Sequence, residues 1–278
     1  MTSAHEGVKA ARTGSVLDSF RPRRRNRGGT AAARSAHNSG WMTRSLEQEA
    51  ERAREIASTI DGWLSDAQGR ALFDAAASTT GRGHIVEIGS WKGRSTTWLA
   101  MGARLAGRRV YAIDPHHHSH EDPEAATLAE FQENLRRAGV ANVVDPIVMR
   151  SEEAAAHISG PVELLFIDGD HSDDGARRDA ERWLPRLVPG GTVMFHDVAT
   201  AAYTGPRRVF RRMLCWDSRF DDIRRVGSMT VARRTSRRRL PAAMWGTTAG
   251  VLLYIYDFKR LLRRARNLAS ASADRPSS

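Results

Sequence analysis

The chain has 278 residues, 41% of them hydrophobic, and a formal net charge of +11. That is enough for one domain of roughly 200 residues with a real core, plus tails. The charge sits at the ends: residues 1–41 carry +6 and residues 233–278 carry +9, leaving −4 on 42–232. A folded body that binds nucleic acid is therefore not expected, and the single cysteine, Cys215, excludes an intrachain disulfide.

Residues 1–41 are mostly Ser, Ala, Gly and Arg with almost no aliphatic periodicity, and are expected to be disordered. They lack the apolar core, about 7–15 residues long, of a signal peptide. With a lone thiol at Cys215 in an apolar setting, this indicates a cytoplasmic protein. Met42 precedes the first convincing helix and is a second candidate for the start of translation. From Ser45 onward, Leu46, Ala50, Ala53, Ile56, Ile60 and Leu64 recur at three- or four-residue steps, which predicts a helix. A second helix is predicted over Ala67–Ala77.

Ile85, Val86 and Ile88 form a short β-branched run that reads as a buried strand. Gly89 ends it, Gly93 follows, and Ser95–Arg104 reads as a helix. Glycines suit a sharp turn where a ligand approaches bare backbone, and the helix N-terminus favours a polar or anionic group. A second strand, Arg109–Ile113, ends in Asp114, where a carboxylate can accept two hydrogen bonds from ribose hydroxyls. The spacing Glu87-x-Gly89-x-x-x-Gly93 lacks the middle glycine of a dinucleotide fingerprint, which opposes a nicotinamide oxidoreductase.

After Asp114 come His116, His117, His118 and His120. Neighbouring loop residues point in different directions and no spaced carboxylate accompanies them, so a metal site is not expected there. A helix over Glu124–Ala138, a third strand over Val143–Val148 and a short helix from Ser151 follow. Val162–Ile167 is a fourth strand with Asp168, Gly169, Asp170 and His171 at its tip. Asp173–Leu187 reads as a helix, and Thr192–Phe195 as a fifth strand ending in His196 and Asp197. A helix from Pro206 to Trp216 and an antiparallel hairpin over Phe220–Val231 close the body.

In a parallel sheet the carboxyl ends of the strands share one edge, so Asp168, His171, His196 and Asp197 should meet beside the Gly89 loop. Two readings of that cluster stay open. The carboxylates can serve as helix caps. Alternatively they hold a hard divalent cation such as Mg²⁺, which would draw a substrate hydroxyl toward alkoxide while His171 collects the proton.

The run Phe166 to His171, the stretch Trp183 to Gly191 and the run Phe195 to Val198 resemble one bacterial family. It is the methyltransferase domain 24 type of class I S-adenosylmethionine-dependent methyltransferases, akin to macrocin-type sugar O-methyltransferases and more distantly to catechol O-methyltransferase. The resemblance runs from about Gly83 to Val198. It implies an α/β Rossmann-like, doubly wound, seven-stranded sheet, mostly parallel with one antiparallel strand. It also implies that Glu87, Gly89, Ser90, Gly93 and Ser95 hold the methionine end of S-adenosylmethionine, Asp114 the ribose, and Ser151 the adenine, with Asp168 beside the cofactor. Asp168, His196 and Asp197 would hold Mg²⁺, with His171 as base. His196 stands where relatives have a second carboxylate, which keeps open a metal-independent O- or N-methyltransferase using His171. The acceptor implied is a hydroxyl of a sugar or secondary metabolite.

Beyond the hairpin, an Arg-rich run over 233–239 and a basic segment over 259–266 flank seventeen uncharged residues, Leu240–Tyr256. This is short of the about 20 apolar residues of a spanning helix. An interfacial segment on anionic lipid and a helix docked on the domain or on a second copy are both compatible with it. A non-catalytic module on a membrane surface is the corresponding functional alternative.

Overall fold

The computed structural model describes residues 31–117, 127–200, 202–215 and 217–236, with side chains from Ser45. The chain separates into two units, Met1–Thr43 and Arg44–Ser278. Helix α1 spans Ala31–Ser58. The tail boundary expected at residue 41 therefore falls inside a helix, because Ala31, Ala32 and Ala33 favour helix by propensity where apolar periodicity gives no signal. At its other end α1 stops before Ile60 and Leu64, which are buried from the connection that follows.

Helices α2 (Asp66–Ala77), α3 (Arg94–Leu105), α4 (Leu128–Arg137), α5 (Ser151–His157), α6 (Asp173–Trp183) and α7 (Gly205–Phe210) alternate with strands. The strands are β1 (His84–Ile88), β2 (Val110–Ile113), β3 (Val144–Ile147), β4 (Val162–Ile167), β5 (Leu187–Phe195), β6 (Phe220–Val226) and β7 (Met229–Arg234). Their order in the single sheet is β3-β2-β1-β4-β5-β7-β6. β1 to β5 are parallel, and β7 is antiparallel to both β5 and β6. The doubly wound sheet with one antiparallel strand is the expected one.

Three local departures have physical causes. The helix expected over Asp173–Leu187 ends at Trp183 and becomes a 3₁₀ turn over Leu184–Arg186, since Pro185 lacks the amide to continue the ladder. β5 begins at Leu187 rather than Thr192, so Gly190 and Gly191 lie within the strand instead of before it. The helix expected to reach Trp216 is α-helical only to Phe210 and then widens to a π turn over Arg211–Cys215.

Strand residues alternate between two cores. Ile85, Leu164 and Phe166 pack with α1 to α4, while Val86, Leu165 and Ile167 pack with α5, α6 and α7. Glu87 faces the first side in full burial. Its Oε1 accepts from Ser95 Oγ and its Oε2 from Thr96 Oγ1, each at 2.6 Å, which ties β1 to the first turn of α3. Burial pushes this carboxyl up to about 8, against the two hydroxyl donors.

A pKa raised above the unfolded value of ~4.3 means that the folded state holds the proton more tightly. Stability then falls as pH rises from the unfolded value through about 8. Glu87→Gln keeps the shape and removes the ionisation, so its melting temperature relative to wild type should rise steadily across that window. A difference that stays flat with pH would show that Glu87 does not ionise there.

Candidate active site

The carboxyl ends of β1, β2, β4 and β5 form one rim. Gly89 follows β1, with φ of +86°, and a Cβ there would lie 2.1 Å from the Asp168 carbonyl oxygen. Only glycine permits that approach. The Gly89 amide donates to Ile113 O at 2.9 Å, and the Asp168 amide to Ile88 O at 2.8 Å, so the loop is stitched to both neighbouring strands. Gly93 closes the turn onto Ser90 O at 2.8 Å and starts α3 from a left-handed conformation.

Asp114 at the tip of β2 holds this loop from the other side. Its Oδ2 accepts from the Trp91 amide at 2.8 Å and its Oδ1 from the His116 amide at 2.7 Å. Ser90 Oγ is buried without a hydrogen-bond partner. Ser95, expected in the cofactor cradle, instead spends its hydroxyl on Glu87. Ser151 opens α5; its hydroxyl donates to Asp179 of α6, and its carbonyl accepts from Trp183 Nε1 at 3.2 Å. Burial lifts Asp179 to about 6, opposed by the Ser151 hydroxyl.

Four ionisable side chains meet at the tips of β4 and β5, as the strand register requires: Ile167 lies opposite Phe195, so Asp168 and His196 are neighbours. His171 Nε2 lies 3.5 Å from Asp168 Oδ1 and 3.2 Å from Asp197 Oδ2. His196 Nδ1 lies 3.1 Å from Asp168 Oδ1 and 3.4 Å from Asp197 Oδ1. Both nitrogens are buried, and neither is aligned for a hydrogen bond to its carboxylates. Asp197 adopts φ of +53°, a left-handed backbone that Asp tolerates better than most residues. Tyr203 stacks on His171 with centroids 4.2 Å apart.

Burial disfavours the imidazolium of His171, but the two carboxylates outweigh it and push the ring up to about 9. Burial likewise opposes charge on Asp168 and Asp197, and the two imidazoles hold both below the usual carboxylate range. Ligand atoms of Asp168, His171 and Asp197 lie within 4.8 Å of one another, a grouping able to hold a metal ion. That set includes His171; His196 faces the same carboxylates from behind, beside Gln68 of α2, whose Nε2 is 3.2 Å from His196 Nε2. Buried, unaligned imidazole nitrogens beside two carboxylates are a donor set that fits a divalent cation.

Several participants carry no functional signature in the sequence. Gln68 is visible only as the end of a Ser65-x-x-Gln68 capping box. Trp91 belongs to the glycine loop, yet nothing in its spacing announces that it stacks on Trp63 at 4.9 Å or that Lys92 Nζ sits 4.9 Å over its ring. Within the histidine run, His116 is buried and packs on Phe131 with Nδ1 3.0 Å from Thr127 Oγ1, an interior packing role; His118 and His120 lie outside the described residues. The basic segment over 237–278 also lies outside them. Among the described residues no helix is long and apolar enough to cross a membrane.

Residues 86–198 match the Methyltransferase domain family. The chain is 34% identical over 135 residues to a catechol O-methyltransferase of Mycobacterium tuberculosis, a match covering 48% of this chain and 56% of that relative, so it spans little over half of the relative's length. The fold is shared with the O-methyltransferase TomG of Streptomyces achromogenes, involved in tomaymycin synthesis and solved with S-adenosylmethionine (24% identity, TM-score 0.50, 69% of this chain and 89% of that one). It is shared equally with an O-methyltransferase of Bacillus cereus solved with S-adenosylhomocysteine (20% identity, TM-score 0.51, 68% and 91%). The sheet order, the glycine loop and the match of residues 86–198 to the Methyltransferase domain agree with one another.

Proposed function

We propose that this chain transfers a methyl group from S-adenosylmethionine to a hydroxyl of a small molecule, a sugar or secondary metabolite, with a divalent cation assisting at Asp168 and Asp197. One observation carries the reading: a half-buried imidazole, His171, stands 3.2 Å from Asp197 and 3.5 Å from Asp168, at the strand tip that Gly89 touches. The names of the catechol relative and of the tomaymycin enzyme support a small hydroxylated acceptor.

S-adenosylmethionine supplies a methyl carbon on a sulfonium, already activated, so the protein's work is alignment and proton removal. Asp114 keeps acceptor lone pairs for ribose hydroxyls beyond its two amide bonds. Ser90, with its unpartnered hydroxyl, and the bare backbone of Gly89 and Gly93 offer the methionine end its polar contacts. Glu87 and Ser95 support that loop from beneath through their mutual bond. Ser151 faces the adenine side. His171 takes the hydroxyl proton. The negative charge of Asp168 and Asp197, which otherwise holds a proton on His171, would be neutralised by Mg²⁺; the ring is then free to act as base.

A second reading has its own observation. His196 already presents an imidazole to both carboxylates, which favours a metal-independent transfer with His171 as base. Chelation separates the two: turnover lost in a chelator and restored by Mg²⁺ supports the first, and unchanged turnover supports the second.

Calorimetric titration of S-adenosylhomocysteine into the full chain should show saturable binding, with NADH inert. Asp114→Ala should weaken it by about tenfold or more, the scale of lost hydrogen bonds to a charged group. Absence of S-adenosylhomocysteine binding would sink the proposal. His171→Ala should lower the rate of S-adenosylhomocysteine release, measured with a panel of phenolic and sugar acceptors, by about 10²–10⁴-fold while cofactor affinity holds. An unchanged rate would remove His171 from the role of base.

A further inference from the structure

We propose that the foot of the sheet, at the end away from the candidate site, is a docking surface for an anionic phospholipid membrane, with Arg82, Arg186, Arg233 and Arg234 as its contacts to lipid phosphates. All four stand where a parallel strand begins or where β7 ends. Arg82 Nη1 donates to Pro189 O at 2.8 Å and Arg233 Nε to Gly190 O at 3.2 Å, so two guanidinium groups hold adjacent residues of β5. Arg234 Nη1 donates to Pro185 O at 3.3 Å and also to Leu187 O. Arg186 Nε donates to Gly160 O at 3.2 Å, and its guanidinium lies 4.7 Å over the Trp183 ring.

These partners are carbonyls, which hold a guanidinium in place without cancelling its charge. Among the described residues Arg186, Arg233 and Arg234 form no ion pair, and Arg82 has only Glu163, at 3.5 Å. Asp145 and Asp217, at the same end, are already paired with Arg109 and Arg219. Asp221 lies opposite Arg233 in the strand register without an ion pair to it. Burial lowers the Arg186 pKa, and no carboxylate offsets it. Arg82 and Arg233 are exposed. Each guanidinium has five N–H donors and spends few of them here, so planar forks remain for phosphate oxygens.

Composition selects the carrier of those phosphates. The chain leaves the sheet at this end and continues in sequence with Arg237, Arg238 and Arg239. The seventeen uncharged residues Leu240–Tyr256 follow, with Trp245, Tyr254 and Tyr256 among them. Basic groups beside an uncharged stretch bearing Trp and Tyr match a headgroup layer, where anionic phosphates border an apolar interior. Nucleic acid offers the phosphates without that apolar border.

Co-sedimentation of the full chain with vesicles tests the surface. Mixed phosphatidylcholine and phosphatidylserine vesicles should bind it, high salt should release it, and pure phosphatidylcholine should not bind it. The pair Arg82→Gln and Arg233→Gln should weaken binding by about tenfold or more, the scale of two basic residues at an anionic surface. Hydrogen exchange of the wild type decides the matter even if that variant does not fold. With mixed vesicles, amides over 186–191 should gain protection and those over 89–93 should not. No binding to mixed vesicles, equal binding to pure phosphatidylcholine, or unchanged binding of the glutamine pair would overturn the proposal. So would protection confined to 240–256, or tighter binding to a single-stranded oligonucleotide than to vesicles. None of these readouts uses S-adenosylmethionine, so the outcome is independent of the proposed methyl transfer.

Discussion

The site depends on one backbone contact, the approach of Gly89 to the carbonyl of Asp168. The proposed site lies to either side of it, with the glycine loop and Asp114 on one side and the histidine–aspartate cluster on the other. Space at that junction leaves no room for a side chain, with a Cβ 2.1 Å from the carbonyl oxygen. A larger residue would push the loop away from β4 and separate it from the histidine–aspartate cluster. The parallel pairing of β1 with β4, and of β4 with β5, converts this contact into a rim on which groups distant in sequence become neighbours.

The second organising feature is the balance of charge at the rim. Asp168 and Asp197 are partly buried, and each is close to both imidazoles. The histidines compensate the carboxylates, so the cluster is electrically satisfied. A buried polar network whose members are over-determined in this way holds its geometry better than a pair of carboxylates alone.

Much of this was legible in the residues. β4 was readable to the residue, since Val162–Ile167 is apolar apart from Glu163 and bounded by Pro161 and Asp168. The glycine spacing separated this loop from a dinucleotide site, and Asp168, His171, His196 and Asp197 could be brought together from parallel topology alone. Other elements were hidden for identifiable reasons. The alanine-rich start of α1 has propensity without an apolar stripe. β5 runs through Gly190 and Gly191 back to Leu187, which pairs with Val162 across a register irregularity, so a pattern that elsewhere signals a turn here marks a bulge within the strand. Ser95, in the expected cradle, also donates its hydroxyl to the buried Glu87 carboxyl, a contact that its spacing in the sequence did not announce. Gln68 was hidden most fully, since its capping role explains its presence and its contact with His196 spans 128 positions of sequence.

The antiparallel strand has a consequence for where the described chain leaves the sheet. β7 begins with Met229 at the rim, where Thr230 pairs with Phe195, and runs down the sheet until Arg233 pairs with Thr192. The polypeptide thus leaves its last strand at the pole opposite the reactive groups. The exit of the last strand and the rim that carries the ionisable cluster are therefore set at opposite ends of the sheet.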